Sequence, residues 1–344
     1  SGGGIQSLND STVTLNNVTI SGNTGDKAAG IYNDGTLIIS YSTITLNEFQ
    51  QYDAAGSGGI ENVNDTPVSM QGTILAHNGY GDCHLNDTCV RNFNGSFTSN
   101  GYNLVSYNYS ADFPATTGDL EADALLEPLM DNGGTTWTHL PGMGSPAIDA
   151  IPNDAIGCNS GLTDQRDVAR PSNEKCDIGA TELFTPSPVT STGDSGASSL
   201  RQAISDADGG AVISFDASME GETITLTSGE LLLDKDLEIE GLGAANLTIS
   251  GNNASRVFAI AATKTVVMSG LTVTQGKLSS GGNGGGILNE GMLSLSDSTI
   301  TANSIESAGS GEGGAGIANI GGATLVMTST EITDNTVSGT GAIG

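Results

Sequence analysis

The sequence is poor in aromatic residues, in basic residues and in long apolar runs, and each shortage excludes a class of protein. Phe, Trp and Tyr make up 4% of the 344 residues, so a domain built around an aromatic core is not expected. Ten Lys and Arg stand against 39 Asp and Glu, a formal net charge of −29. Nucleic acid and anionic membranes are therefore not expected partners, because phosphate binding needs clustered basic side chains. No apolar run of about eighteen residues is present, so we expect no membrane insertion by this segment.

The acidic surplus keeps a protein soluble and attracts divalent cations. We expect no cofactor. Calcium is possible as a stabilising ion without a catalytic role, although no loop matches a calcium-binding signature and no ligands are assigned.

The chain has only four cysteines, which form two close couples, Cys83/Cys89 and Cys158/Cys176. Four cysteines can pair in three ways, and pairing within each couple is the simplest. Two disulfides that close two loops in an oxidising compartment are the favoured interpretation. A zinc site is the alternative, but CxxC-type spacing is absent and only His84 lies near.

Glycine, with 50 residues, is abundant, and a short pattern returns along most of the chain. An apolar residue stands three positions before Asn or Gly, and successive copies within each half are about 24 to 32 residues apart. The pairs are Ile20/Asn23, Ile44/Asn47, Leu75/Asn78, Ile249/Asn252, Val273/Gly276, Ile300/Asn303 and Ile332/Asn335. A small residue followed by Gly-Ile opens the same units at Ile5, Ile31, Ile60, Ile287 and Ile317.

Each repeat contains three short β-prone runs and no helix, so one repeat cannot bury its own apolar face. The repeats therefore predict an all-β fold, a parallel β-helix in two half-stacks. The β-helix is expected to be right-handed, because crossovers between parallel strands are usually right-handed. Asn and Thr at the corners are expected to stack on their copies one turn away, about 4.8 Å along the axis.

The period fails after about residue 102, where Pro- and Gly-rich motifs replace it. They are LEPLMDNGGT (126–135), THLP (138–141), GSPAID (144–149), TDQR (163–166), ARP (169–171) and CDIGA (176–180). This segment, about 126–183, resembles the conserved tail of bacterial and archaeal surface β-helix proteins of the choice-of-anchor Q family. The resemblance implies the C-terminal cap of an extracellular domain and implies no known activity.

An open β-helix end needs a cover, and an irregular segment closed by Cys158 and Cys176 is suited to that. We expect Asp164, Arg166, Arg170 and Asp177 to form a charge-paired network inside the cap. An acid–base constellation is the alternative for these four. The predicted cap residues are Asp131, Asn132, Asp149, Asp164, Arg166, Arg170, Asp177, Leu200 and Ile204.

The composition of residues 185–197 predicts a linker. The sequence after it has the features of the beginning of a second β-helix. Ser199 and Gln202 form a capping-box pattern, and apolar residues at helical spacing predict an amphipathic capping helix over 199–207. The segment resembles the CSLREA motif that opens such β-helices. Ser198 stands where that motif has Cys, and Gln202 where it has Glu, which removes a possible covalent link and keeps the helix. The following repeats, such as GGGILNEG (284–291), resemble the polymorphic outer-membrane-protein type.

The predicted organisation is thus the C-terminal part of one β-helix over 1–184, with its cap at about 111–184, a linker over 185–197, and the N-terminal part of a second β-helix over 198–344. Because the C-terminal cap of the first β-helix and the N-terminal cap of the second both lie in the middle of the chain, neither cap covers the first turn of the first β-helix or the last turn of the second. Continuing from residue 344 to residue 1 keeps the repeat spacing, so we expect copies to join head to tail, either non-covalently or in a longer tandem protein. An excerpt without assembly meaning is the alternative. The expected assembly residues are Gly3, Gly4, Ile5, Val13, Leu15, Ile20, Ile317, Leu325, Ile332 and Ile343.

An extracellular or cell-surface structural protein or adhesin, not an enzyme, is the functional prediction. The rival is a carbohydrate-active or carbohydrate-binding β-helix protein with a surface polysaccharide as partner. Only fold analogy supports catalysis, because the few basic residues of the rungs are dispersed and no two carboxylates share a rung position in neighbouring coils with a base beside them. The aromatic concentration at Tyr80, Phe93, Phe97, Tyr102, Tyr107 and Tyr109 is more typical of packing than of a sugar platform.

The two cysteine couples give the first testable prediction. Non-reducing peptide mapping of the native protein should find Cys83 joined to Cys89 and Cys158 joined to Cys176, because each couple is local in sequence. A crossed pattern or free thiols would contradict the assignment.

Overall fold

Short strands stacked in parallel and joined by turns form the regular part of the chain in a computed structural model. The structure describes residues 2–50, 56–80, 92–106, 116–159, 161–172, 175–306 and 312–339. The chain divides into unit 1, Ser1–Leu183, and unit 2, Phe184–Gly344. Each unit contains a parallel β-solenoid, which confirms the predicted all-β β-helix fold.

One turn of a stack, called a rung below, contributes one strand to each of up to four parallel sheets. In unit 1 the first sheet contains β1 (Ile5–Ser7), β5 (Ile31–Asn33), β9 (Ile60–Asn62) and β13 (Phe93–Asn94). The second contains β2 (Thr12–Asn16), β6 (Thr36–Ser40), β10 (Val68–Gln71) and β14 (Thr98–Ser99). The third contains β3 (Thr19–Ser21), β7 (Thr43–Thr45), β11 (Ile74–Ala76), β15 (Leu104–Val105) and β16 (Leu120–Glu121). The fourth contains β4 (Thr24–Gly25), β8 (Glu48–Phe49) and β12 (Gly79–Tyr80).

Unit 2 repeats this architecture. Its first sheet contains β23 (Leu231–Leu233), β26 (Phe258–Ile260), β30 (Ile287–Asn289) and β34 (Ile317–Asn319). The second contains β21 (Val212–Ser214), β24 (Leu237–Glu240), β27 (Thr265–Ser269), β31 (Met292–Ser296) and β35 (Thr324–Thr328). The third contains β22 (Glu222–Thr225), β25 (Leu247–Ser250), β28 (Thr272–Thr274), β32 (Thr299–Thr301) and β36 (Glu331–Thr333). The fourth contains β29 (Lys277–Leu278), β33 (Ser304–Ile305) and β37 (Thr336–Val337).

The repeat fingerprint marks the inward-facing positions of the stacks. In unit 1, Ile20 pairs in register with Ile44, and Ile44 with Leu75. These side chains lie in one buried apolar cluster. In unit 2, Val273 aligns with Ile300 in the same way. Side chains at aligned positions of parallel strands point to the same face, so each repeat adds one layer to a continuous core.

Helix α1 (Leu200–Asp206) lies in unit 2 where the sequence predicts a capping helix. Its buried Leu200 and Ile204 belong to the same apolar cluster as the first strands of the stack. The hydroxyl of Ser199 accepts a hydrogen bond from the backbone N–H of Gln202, so half of the predicted capping box is present. The Gln202 side chain donates to Asp206 at 2.7 Å and does not return to Ser199.

The segment predicted as a linker, residues 185–197, is packed into unit 2. Val189 is fully buried and forms a parallel bridge with Phe215. Asp194 accepts hydrogen bonds from Arg201 and from the backbone N–H of Ser228. These hydrogen bonds outweigh partial desolvation and lower the pKa of Asp194 to about 2. Composition predicts only a linker here, because it carries no information about these tertiary partners.

The segment predicted to cover the end of the stack lies along its side. Strand β16 still pairs with β15 and so extends the third sheet. The chain then packs on the outer face of that sheet, where the N–H of Ala180 donates to the Thr43 hydroxyl at 3.0 Å and the N–H of Gly179 donates to the Gly72 carbonyl at 2.8 Å. Two short antiparallel pairs brace this lateral segment, which we define as residues 116–183. They are β17 (Ile151–Pro152) with β20 (Lys175–Cys176), and β18 (Leu162–Thr163) with β19 (Ala169–Arg170).

The lateral position follows from side chains that point outward from the third sheet. Ile74 and Leu104 align on that outer face, while their neighbours Leu75 and Val105 face the stack interior. Ile74 and Leu104 form a second apolar core with Ile151 and other residues of the lateral segment. A strand with apolar residues on both faces must be covered on both.

A disulfide joins Cys158 to Cys176 inside this second core, which confirms that predicted pair. The predicted Cys83–Cys89 pair lies outside the described residues and stays a prediction.

Candidate functional site

The first rung of unit 1 presents strand edges without a neighbour on one side, within the described ranges. Strands β1 to β4 each pair only with the strand of the next rung. Leu15 and Ile20 point inward and are nearly buried, whereas Ile5 and Val13 are half-buried at the margin of the core.

The Gly3-Gly4 corner of this rung is tightly packed. The N–H groups of Gly3 and Gly4 donate to the carbonyls of Ala28 and Ala29 at 3.0 and 2.8 Å. A Cβ at Gly3 would lie 2.3 Å from the Thr24 carbonyl oxygen, so a side chain does not fit there.

The last rung of unit 2 has its interior open. Met327 and Ile332 are each 45% exposed, although their register partners one rung earlier, Leu295 and Ile300, are 1% and 0% exposed. Leu325 and Ile317 are only partly buried. Inward-facing apolar side chains are thus uncovered along this edge. The predicted interface residue Ile343 lies outside the described residues.

The two open rungs share one strand template. Strands β1 to β4 begin at residues 5, 12, 19 and 24, and β34 to β37 begin at residues 317, 324, 331 and 336, so the intervals between strands are identical. The strands of both rungs are 3, 5, 3 and 2 residues long. Ile5, Val13 and Ile20 therefore occupy the positions of Ile317, Leu325 and Ile332.

A ladder of asparagines runs along the corner between the third and fourth sheets. In unit 1 the Nδ2 of Asn23 donates to Oδ1 of Asn47 at 2.9 Å, Asn47 donates to Asn78 at 2.9 Å, and Asn78 donates to Asn92 at 3.0 Å. The backbone N–H of each donor residue reaches the same oxygen at 3.1 Å. In unit 2, Asn303 donates to Asn335 with the same geometry. The expected stacking of corner asparagines is therefore present.

The lateral segment contains the predicted charged network, with one partner that sequence reasoning missed. Asp164 pairs with Arg166 at 3.0 Å, but Arg170 pairs with Glu182 at 2.9 Å and not with the carboxylate of Asp177. These four paired side chains are at most 2% exposed. The Glu182 carboxylate is the partner of the buried Arg170 guanidinium, and no periodic pattern in the sequence marks it.

The Asp177 carboxylate forms hydrogen bonds with backbone N–H groups instead of an ion pair with Arg170. Its carboxylate accepts the N–H groups of Asp149 and Leu183 at 2.8 and 2.7 Å. Burial raises the pKa of Asp177, and the nearby charge of Glu182 raises it further. Burial also raises the pKa of Asp149. Because Asp177 and Glu182 are 2% and 1% exposed, a substrate does not reach their carboxylates and their role is to hold the segment together.

Asp131 and Asn132 form the turn of a hairpin at the edge of the lateral segment. Oδ1 of Asp131 accepts the N–H of Gly133, and Nδ2 of Asn132 donates to the Thr138 carbonyl at 2.9 Å. The carbonyl of Asn132 accepts from Arg166 at 3.1 Å, which ties the hairpin to the charged network.

His139 joins this hairpin to the first rung of unit 1, a role that the sequence did not reveal. Its Nδ1 lies 2.7 Å from the Glu127 carbonyl and must donate to it, so Nε2 accepts from the Ser21 hydroxyl at 2.7 Å. The side chain is 1% exposed, and burial lowers its pKa.

A polar cleft of about 360 Å³ opens between the stack and the lateral segment. The side-chain amide nitrogens of Asn17 and Gln71 donate to the carbonyls of Thr163 and Ile156, and no donor among the described residues reaches their amide oxygens. Nε of the buried Arg170 is likewise unpaired within the described residues. The cleft is lined by Asn16, Asn17, Ser40, Tyr41, Gln71, Ile156, Gly157, Gly161, Leu162, Thr163 and Arg170. This lining contains amides, hydroxyls and a guanidinium but no carboxylate.

The aromatic concentration noted in the sequence does not form an exposed row where the structure describes it. The rings of Phe93 and Phe97 meet edge to face at 4.6 Å, and Phe93 is 3% exposed. Tyr102 packs against the second core. Tyr107 and Tyr109 lie outside the described residues.

No protein-family model matches the chain, and the comparisons with curated proteins and with solved structures give no match either. The resemblance to surface β-helix families therefore stays a prediction from motifs.

In the part of the chain that the structure describes, no three His, Cys, Asp or Glu side chains are grouped so that they could hold a metal ion. No described helix has the length and apolar character that a membrane crossing requires.

The buried His139 predicts a loss of stability in mild acid. Its pKa is lowered in the folded state, so the unfolded chain binds more protons below the ordinary value of 6.5. Stability is fully present above that value and should fall as the pH drops through 6.5 towards the folded pKa. In denaturant unfolding of wild type and His139→Gln, the difference in unfolding free energy should narrow as pH is lowered from 8 to about 5. An unchanged pH dependence in His139→Gln would contradict the assignment.

Proposed function

We propose that the protein is an extracellular structural protein, a subunit or repeat unit of a head-to-tail β-helix filament or surface adhesin. The last rung of unit 2 in one copy continues into the first rung of unit 1 in the next. The junction is a non-covalent contact between chains or a peptide bond within a longer tandem protein.

The shared rung template carries this proposal. A β-helix rung grows by placing a strand of matching length beside each exposed strand. The rung that begins at Ile5 has the same four strand lengths and intervals as the rung that begins at Ile317. The Cys158–Cys176 disulfide supports a location outside the reducing cytoplasm.

The uncovered apolar side chains supply the driving force. Covering Met327 and Ile332 with the Leu15 and Ile20 layer would bury apolar surface on both copies, at roughly 25 cal/mol per Å². Exposed strand edges favour the same contact, because their N–H and C=O groups lack partners. The two edges are different surfaces, so the contact is heterologous, which is the type of contact that builds an open filament when its rotation does not close a ring.

The uncovered position of Ile332 gives a direct test. Ile332→Asp should leave the monomer folded, with a loss of about 1 kcal/mol or less, because this side chain is 45% exposed. It should weaken association at least about tenfold, since the junction would bury an unpaired charge. The matched control is Ile38→Asp, whose side chain is 41% exposed on the outer face of the second sheet. Sedimentation velocity and electron microscopy measure the assembly.

Wild type that stays a monodisperse monomer at high concentration, or an equal effect of Ile332→Asp and Ile38→Asp, would contradict the proposal. Denaturing gels on native material separate covalent from non-covalent joining.

Carbohydrate binding is the second candidate, and the polar cleft favours it. Pockets of this size hold small ligands, and amide groups with unused hydrogen-bonding capacity suit sugar hydroxyls. If a glycan array identifies a ligand, Gln71→Ala should weaken binding of that ligand on the order of tenfold, because the substitution removes a side-chain amide that lines the cleft. Gln6→Ala, an exposed glutamine on the first sheet, is the control. Depolymerisation of any polysaccharide would instead favour the enzyme alternative, and no binding on the array would remove this candidate.

A further inference from the structure

The asparagine ladder has one direction. In every step that the structure describes, the residue nearer the N-terminus donates its backbone N–H and its Nδ2 to Oδ1 of the residue in the following rung. The second Nδ2 hydrogen turns back to a carbonyl, as from Asn47 to Ile20 at 3.0 Å and from Asn335 to Ile300 at 2.9 Å.

This direction leaves complementary groups at the two open rungs. Oδ1 of Asn23 receives no donor from the described residues, because no described rung precedes it. At the other edge, Oδ1 of Asn335 is occupied by Asn303, while its backbone N–H has no acceptor within the described chain. One edge therefore presents an acceptor and the other presents donors, at the same place in the shared strand template.

We propose that the partner of the Asn335 edge is the Asn23 edge of a second copy, with the backbone N–H and Nδ2 of Asn335 donating to Oδ1 of Asn23. The inference rests on the proposed function and deepens it, because it names the contact that fixes order and register. Two Asn23 edges would oppose acceptor to acceptor, and two Asn335 edges would oppose donor to donor. The ladder thus selects the head-to-tail contact over either two-fold dimer.

Burial of the ladder asparagines makes the direction of their hydrogen bonds important for the choice of partner edge. Asn47, Asn78 and Asn92 inside unit 1 are 0% exposed, and an equivalent junction would enclose Asn335 and Asn23 as fully. A polar group that is buried without a partner is costly, so a slipped register or an inverted edge loses more than one hydrogen bond. Apolar contacts alone are non-directional and would tolerate such errors.

Asparagine-to-aspartate substitutions test the polarity, because they keep an acceptor and remove a donor. Asn335→Asp retains the oxygen that accepts from Asn303 but opposes an acceptor to Asn23, and it should weaken association at least about tenfold. Asn23→Asp retains the acceptor that faces Asn335, and its association should stay within about threefold of wild type. Asn23→Leu removes that acceptor and should weaken association as Asn335→Asp does. Sedimentation velocity gives the affinities, and circular dichroism reports folding.

A control in the interior of unit 1 separates assembly from stability. Asn78→Asp makes the same chemical change at a ladder step that contacts neither Asn23 nor Asn335, and it should lower the melting temperature without weakening association of the folded protein. If Asn335→Asp does not fold, the comparison of Asn23→Asp with Asn23→Leu tests the same contact from the other edge.

The outcomes distinguish this inference from the function on which it rests. A wild type that does not associate overturns both. If Ile332→Asp blocks association while Asn335→Asp and Asn23→Leu do not, the filament stands and the ladder contact is overturned. Equal weakening by Asn23→Asp and Asn335→Asp also overturns it, because a contact with polarity distinguishes the two edges.

Discussion

Each rung satisfies its backbone and buries its apolar side chains only against a neighbouring rung, and every other feature of the structure depends on this constraint. A strand of two to five residues has no independent stability. It is held by parallel hydrogen bonds on both sides and by layers such as Ile20, Ile44 and Leu75. The corner asparagines add a polar line beside this core. Wherever a rung lacks a neighbour, side chains that belong to the interior are exposed, as Ile332 is.

The lateral segment and α1 relieve the same constraint in two different ways. Helix α1 places Leu200 and Ile204 in the core with the first strands of unit 2. The lateral segment of unit 1 covers the outer face of the third sheet, so that Thr43 and Ala76 are buried although they point away from the interior. Its own framework is polar, since buried Arg170 and Asp164 hold it through backbone and carboxylate contacts.

The sequence predicted the elements that depend on local period and missed those that depend on tertiary partners. The apolar–x–x–Asn fingerprint placed Ile44 and Ile300 in the core and predicted corner stacking, because a solenoid repeats its environment with its sequence. The side-on position of 116–183 was missed although Ile74 and Leu104 carried its signal, a pair of apolar residues on both faces of one strand. Glu182 and His139 lie in irregular backbone, where no period indicates which partner a buried charge or imidazole will find.

The lateral segment also changes how unit 1 bears mechanical load. Hydrogen bonds between rungs run along the stacking axis, so tension along that axis pulls on them directly and separates one rung from the next. The lateral segment contacts Ser21 in the first rung through His139, Thr43 in the second through Ala180, and His77 in the third through Asp123. A covalent chain thus crosses several rung boundaries in parallel with the sheets. Under tension along the axis it acts as a tie, so the rung boundaries that it spans resist separation more than those that it does not span.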